Sequence, residues 1–194
     1  MSHDFKNTSW QQKPLLLPGD MVMERTTDER TQTALQREAS DWLSHGKPNV
    51  FITLSFREPA GYKRAEKAFG AFAYGLKSAL FGRKSKKRLS MVPIVEKYHE
   101  GSSYGALMKP AEGIHIHCLM HLPDCPANHM EVIRKLWMQS DWCCGDPNVY
   151  CPKGDGWFEV LDTEDDAHRV INYVLKTCAT DTQAVLWKFV SFGR

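Results

Sequence analysis

His115 and His117 flank one isoleucine in the run Gly113-Ile114-His115-Ile116-His117-Cys118-Leu119. In a strand, alternate side chains share a face, so the two imidazoles stand side by side and Ile114, Ile116 and Cys118 point the other way. Two imidazoles on a rigid strand form a bidentate metal platform. A carboxylate completes a three-ligand site with open positions. Glu96, near the end of the preceding strand, is the candidate, with Glu100 and Glu112 as rivals. Oxygen-rich surroundings suit Mg²⁺ or Mn²⁺, whereas imidazole also suits Zn²⁺, Co²⁺ or Fe²⁺.

A nucleophile is available downstream. In the segment 163–178 the apolar stripe is Ala167, Val170, Ile171, Val174 and Leu175. At 100° per residue, Arg169, Tyr173 and Lys176 fall on a neighbouring face. A tyrosine between two cations is expected to have its phenolate favoured, and a phenolate is a nucleophile.

These residues need elements to hold them. Residues 1–25 read as an irregular arm with Pro14 and Pro18-Gly19, and residues 26–194 as one domain. Thr26 and Glu29 form a capping-box pattern that opens a helix over about 28–45, which Gly46 and Pro48 end. Residues 49–57 alternate as a strand with Val50, Ile52, Leu54 and Phe56 on its buried face and Phe51, Thr53, Ser55 and Arg57 on the other. The spacing predicts a helix over Tyr62–Phe81 capped by Gly82, then strands over Leu89–Tyr98 and Ile114–Leu122 joined by a turn-rich hairpin loop. A helix over Pro126–Ser140, a loop to Pro152, a short strand over Trp157–Leu161 and a helix capped by Thr163 and Asp166 follow. Residues 184–192 form a short helix or a strand. Helices against an antiparallel sheet make the class α+β.

The net charge of +2 hides an asymmetry. Between Arg57 and Arg88 ten Lys/Arg oppose two acids, whereas Asp155 to Asp166 holds six acids and no base. The dense stretch Arg83, Lys84, Lys86, Lys87 and Arg88 gains from phosphate, because lysine and arginine release counterions from nucleic acid. No run approaches the roughly 18 apolar residues of a membrane span. The N-terminus has no secretory pattern, so a cytoplasmic location is expected, with the six cysteines as thiols or metal ligands rather than disulfides.

The ordered set Phe51-Ile52-Thr53-Leu54-Ser55-Phe56, then Glu96 with His115-Ile116-His117, then Tyr173-Val174-Leu175-Lys176, resembles the HUH endonucleases of the single-tyrosine replication-initiator (Rep) class found in rolling-circle plasmids, phages and single-stranded DNA viruses. The resemblance spans about residues 49–178. It implies a Rep/RRM-like fold, a central antiparallel sheet carrying the HUH motif with flanking helices. It also implies a nicking and joining reaction on single-stranded DNA. His115, His117 and Glu96 would hold Mn²⁺ or Mg²⁺, Tyr173 would form a 5′-phosphotyrosine, and Lys176 would stabilise charge. Arg83 to Arg88, the 98–112 loop, Thr53, Ser55 and Arg169 would contact DNA. Partners would be single-stranded or hairpin origin DNA, with a host helicase and polymerase, since no ATPase domain with a phosphate loop follows.

Other readings compete. A single-tyrosine HUH transposase or relaxase-like strand transferase shares the motifs, although transposases tend to place a glutamine where this chain has Lys176. A cupin-type metal enzyme also uses His-x-His but needs more strands. A structural Zn²⁺ on His121, Cys125, His129, Cys143, Cys144 and Cys151 would make a non-enzymatic nucleic-acid-binding module, although no Cys-x-x-Cys pair is present.

Overall fold

The computed structural model describes residues 34–97, 113–142, 147–152, 154, 156–181 and 183–191. They belong to one compact unit, Gln32–Arg194. The expected 1–25 arm, the Thr26/Glu29 cap and the 98–112 loop lie outside the described residues.

The elements in chain order are α1 (Ala34–His45), β1 (Val50–Phe56), α2 (Tyr62–Phe81), β2 (Ser90–Lys97), β3 (Ile114–His121), α3 (Met130–Ser140), β4 (Val149–Tyr150), β5 (Phe158–Val160) and α4 (Glu164–Thr180). The class is α+β. The antiparallel sheet has the order β2-β3-β1, and β4 and β5 pair with opposite ends of β1. The histidine strand therefore lies between β2 and β1, both of which precede it in the chain.

Each face of the sheet buries a helical layer. Val50, Ile52, Leu54, Ile116 and Cys118 pack with Phe69, Phe72 and Leu76 of α2 and Ile133 and Trp137 of α3. Trp137 is fully buried, stands edge-on to Phe56 and Phe72, and donates from Nε1 to the Tyr150 carbonyl at 3.1 Å. On the other face Val92, Ile94 and Leu119 meet Leu43 of α1 and Val170, Ile171, Val174 and Leu175 of α4. Alternation along the strands thus separates an α2/α3 side from an α1/α4 side.

Local signals explain most boundaries. Gly82, at φ 84°, ends α2 in a conformation that favours glycine. Thr163 accepts from the Asp166 backbone while Asp166 reaches back to Thr163, so α4 opens with a full capping box. Pro126 starts a 3-10 turn, Pro126–His129, that leads into α3. Residues 184–191, expected as a short helix or a strand, form neither in full. They bridge to β2 at Ile94↔Val185 and Met91↔Ser191, with a 3-10 turn at Trp187–Phe189 between. The expected 141–152 loop contains one difference, the two-residue strand β4, paired through Ser55↔Tyr150 and Phe56↔Val149. No helix among the described residues is long and apolar enough to cross a membrane.

Candidate metal and nucleophile site

Strand register assembles the site. Glu96 of β2 lies directly opposite His115 of β3, and Thr53 of β1 directly opposite His117. Paired residues in an antiparallel ladder project to the same face. All four side chains therefore stand on the α4 side of the sheet.

There the donor atoms converge. His115 Nε2 lies 2.8 Å from His117 Nε2, and the two lie 3.1 and 2.7 Å from Glu96 Oε2. All three residues are buried. Among the described residues this is the group of His, Cys, Asp and Glu side chains able to hold a metal ion. The donor set fits a divalent cation. An octahedral ion with bonds of about 2.1 Å places neighbouring donors about 3.0 Å apart, which matches the spacings found. Two imidazole nitrogens and a carboxylate oxygen at such distances require a cation or proton among them.

Electrostatics prepares the ligands. Burial pushes the Glu96 carboxyl up, but hydrogen bonds and charge from His115 and His117 outweigh it and hold it well below the usual carboxylate range. Burial pushes the His117 imidazole down against the pull of Glu96. A carboxylate and a neutral imidazole are the forms that ligate metal.

Side chains behind the donors orient them. Thr53 Oγ1 lies 3.0 Å from His117 Nδ1. With Nε2 turned to the seat, His117 carries its proton on Nδ1 and donates it to that hydroxyl oxygen. Phe51 stacks on the same ring, with centroids 5.0 Å apart and planes 20° apart. Thr177 donates to the other Glu96 oxygen, Oε1, at 3.0 Å.

α4 brings Tyr173 to the seat. Its hydroxyl donates to Glu96 Oε2 at 3.0 Å and lies 3.4 Å from His117 Nε2. The ring packs edge-on against His117 and Phe51, yet 40% of the residue is exposed. It borders a cleft of about 750 Å³ lined by Val95, Glu96, Lys97, Tyr173, Lys176, Thr177 and Asp181.

The surroundings of Tyr173 oppose the activation expected for it. Burial, followed by the charge and hydrogen bond of Glu96, pushes the phenol up to about 12. Arg169 is engaged elsewhere: it pairs with Glu159 of β5 and lies 3.7 Å from Asp166. Lys176 lines the cleft.

The structure brings together His115, His117, Glu96, Tyr173 and Lys176; among the described residues, the expected DNA contacts Thr53, Ser55, Arg169 and Arg83 to Arg88 lie behind them or away from them, and the 98–112 loop lies outside the described residues. Thr53 touches His117 rather than the open cleft. Ser55 is 4% exposed, so its side chain has almost no surface to offer a ligand. Arg83, Lys84, Lys86, Lys87 and Arg88 lie in the connection between α2 and β2. From there to Glu96 the strand runs about 20 Å at 3.3 Å per residue. Glu100 and Glu112 lie outside the described residues, as do Cys143 and Cys144 of the expected zinc set. His121 and His129 bond the carbonyls of Lys47 and Pro123. Cys118 faces the core, where burial pushes its thiol far up.

Thr177 went unnoticed in the sequence. Its spacing of four residues from Tyr173 puts both hydroxyls on one helix face, the one signal that points to it. Comparison of the chain with protein-family models, curated proteins and solved structures gives no match.

Proposed function

We propose that this chain is a metal-dependent endonuclease that nicks and rejoins single-stranded DNA, as in the single-tyrosine replication initiators it resembles. The observation that carries the reading is the Tyr173 hydroxyl, 3.0 Å from Glu96 Oε2 and 3.4 Å from His117 Nε2, at the mouth of an open cleft. A nucleophile within hydrogen-bond reach of a three-ligand metal seat suits phosphoryl transfer. When bound by Glu96, His115 and His117, Mn²⁺ or Mg²⁺ supplies Lewis-acid polarisation of a phosphate oxygen and offsets the Glu96 charge that holds the phenol up.

The residues then have defined work. Tyr173 oxygen attacks phosphorus, forming a phosphotyrosine bond to the 5′ side while the bond to the 3′ oxygen breaks. The phenol gives up its proton, and the departing 3′ oxygen ends as a hydroxyl, so the phosphodiester energy is kept and the step reverses. Lys176, on the cleft wall, offers a cation to the charge that develops on the phosphate. Thr53 and Thr177 hold the ligands still. Initiation of rolling-circle replication, with a helicase and polymerase as partners, is the role that this reaction would serve.

The test is a denaturing gel of the protein incubated with Mn²⁺ and a pool of single-stranded and hairpin oligonucleotides. A covalent adduct is expected, lost in Tyr173→Phe and in His115→Ala and His117→Ala. An adduct that persists in Tyr173→Phe removes Tyr173 as nucleophile. Cleavage that survives both histidine variants removes the metal seat from the reaction.

A further inference from the structure

A second groove lies on the far layer of the sheet. It encloses about 430 Å³ between Gly70, Ala73, Tyr74 and Lys77 of α2, the start of β2 with Arg88, Leu89 and Met91, and the C-terminal turn from Lys188 to Ser191. Its walls are built rather than incidental. The turn is tied to β2 by Met91 N–H donating to Ser191 O at 2.6 Å and Ser191 N–H donating to Met91 O at 3.0 Å. Gly70 admits the Phe189 ring, which a Cβ there would meet at 3.1 Å. Phe189 also packs edge-on to Phe69 of the core.

The lining is basic and aromatic. Lys77, Arg88 and Lys188 contribute three cations, and no carboxylate lines the groove among the described residues. Glu66 reaches Lys188 at 2.8 Å; Lys77 and Arg88 are the other two cations of the lining. Tyr74 is 59% exposed, whereas Phe69 and Phe72 of the same helix are fully buried. Arg83, Lys84, Lys86 and Lys87 lead into the groove along the chain.

We propose that this groove is a second binding site for single-stranded nucleic acid, with Lys77 and Arg88 on backbone phosphates and Tyr74 stacked on an unpaired base. Cations that follow a backbone beside a ring that accepts any base are the features of such sites. A duplex cannot present a base face to Tyr74 without unstacking, so the ring selects single strands. The groove lies on the α2 side of the sheet and Glu96 on the α4 side, about 17 Å apart along β2 from Met91 at 3.3 Å per residue. The groove therefore supplies grip and takes no part in the chemistry. The inference deepens the proposed function but binds its ligand without metal.

The test measures fluorescence anisotropy of a labelled oligothymidylate of about 16 nucleotides with the full chain carrying Tyr173→Phe, in chelator, across a salt series. Lys77→Ala with Arg88→Ala is expected to weaken binding at least tenfold at low salt. Loss of two contacts should also flatten the slope of log K against log salt by about 1.4. Tyr74→Ala is expected to weaken binding about tenfold with the slope unchanged. These side chains are exposed or rim the groove, and Lys77→Glu, which reverses the charge, should deepen the loss. Unchanged affinity in all these variants overturns the proposal. A duplex of equal length that binds as tightly, with Tyr74→Ala silent, overturns it in favour of a general polyanion surface. Adduct formation with silent groove variants sinks the groove alone, whereas groove-dependent binding with no adduct in the wild-type chain sinks the nuclease alone.

Discussion

The two oxygens of Glu96 have separate partners. Oε2 faces both imidazoles and Tyr173, and Oε1 accepts from Thr177. Removing the Thr177 hydroxyl frees the carboxylate to rotate, and removing the Thr53 hydroxyl frees the His117 tautomer. Thr177→Val and Thr53→Val should therefore each weaken Mn²⁺ binding about tenfold, with serine at either position restoring it. Calorimetric titration reads this directly, and full affinity in both valine variants would mean that the strands alone position the ligands. The histidine pair was legible because strand period fixes which side chains share a face. Glu96 was legible because a hairpin sets its partner strand. Thr177 was not, because its bond crosses from helix to sheet and no local pattern encodes that docking. Arg169 was misread for a similar reason: β5 brings Glu159 to it, and the spacing that marks β5 as a strand does not say which helix residue it will meet.

At the scale of elements, α4 carries both Tyr173 and Thr177, so its first turn matters to the site only through the helix as a whole. Thr163 accepts from the Asp166 backbone at 3.1 Å and donates to the Asp166 carboxylate at 2.7 Å. Thr163→Ala should cost about 1 kcal/mol of stability in urea unfolding. Mn²⁺ affinity should stay unchanged, because Tyr173 lies ten residues further along, about 15 Å up the helix axis. A large loss of affinity would show that the first turn and the seat are mechanically coupled. Long periodic elements could be read closely: α2 runs from Tyr62 to Phe81 as its apolar stripe predicts. β4 could not, since two residues carry no period. Its place depends on Asp141, a fully buried carboxylate that accepts from Arg64 at 2.7 Å and from the Asn148 backbone at 2.9 Å. That arrangement joins α2, the end of α3 and the approach to β4, and no spacing along the chain announces it.

For the whole molecule, the sheet divides labour between its faces: the α2/α3 layer holds the larger core, and the α1/α4 layer holds the seat. The seat draws ligands from two strands that the unfolded chain does not hold together, so a metal that binds there stabilises only the folded state. At a hundredfold excess over its dissociation constant, Mn²⁺ should add about 2.7 kcal/mol, a rise of roughly 5–10 °C in melting temperature for a chain of this size. Acid should erase the effect in a definite order. His117 is held below the ordinary imidazole value by burial, so the unfolded chain takes up its proton first, below about pH 6.5. The metal-free protein then loses stability as pH falls from there, because the unfolded state binds more protons. The Mn²⁺ increment should hold from pH 8 to about 6.5 and shrink only as protons reach the folded His117 imidazole. Melting curves with Mn²⁺ and with chelator, taken across that range, read both slopes. Glu96→Ala and His115→Ala should abolish the increment at every pH; a rise equal to that of the unmodified chain in either variant would place the stabilising metal somewhere other than this seat.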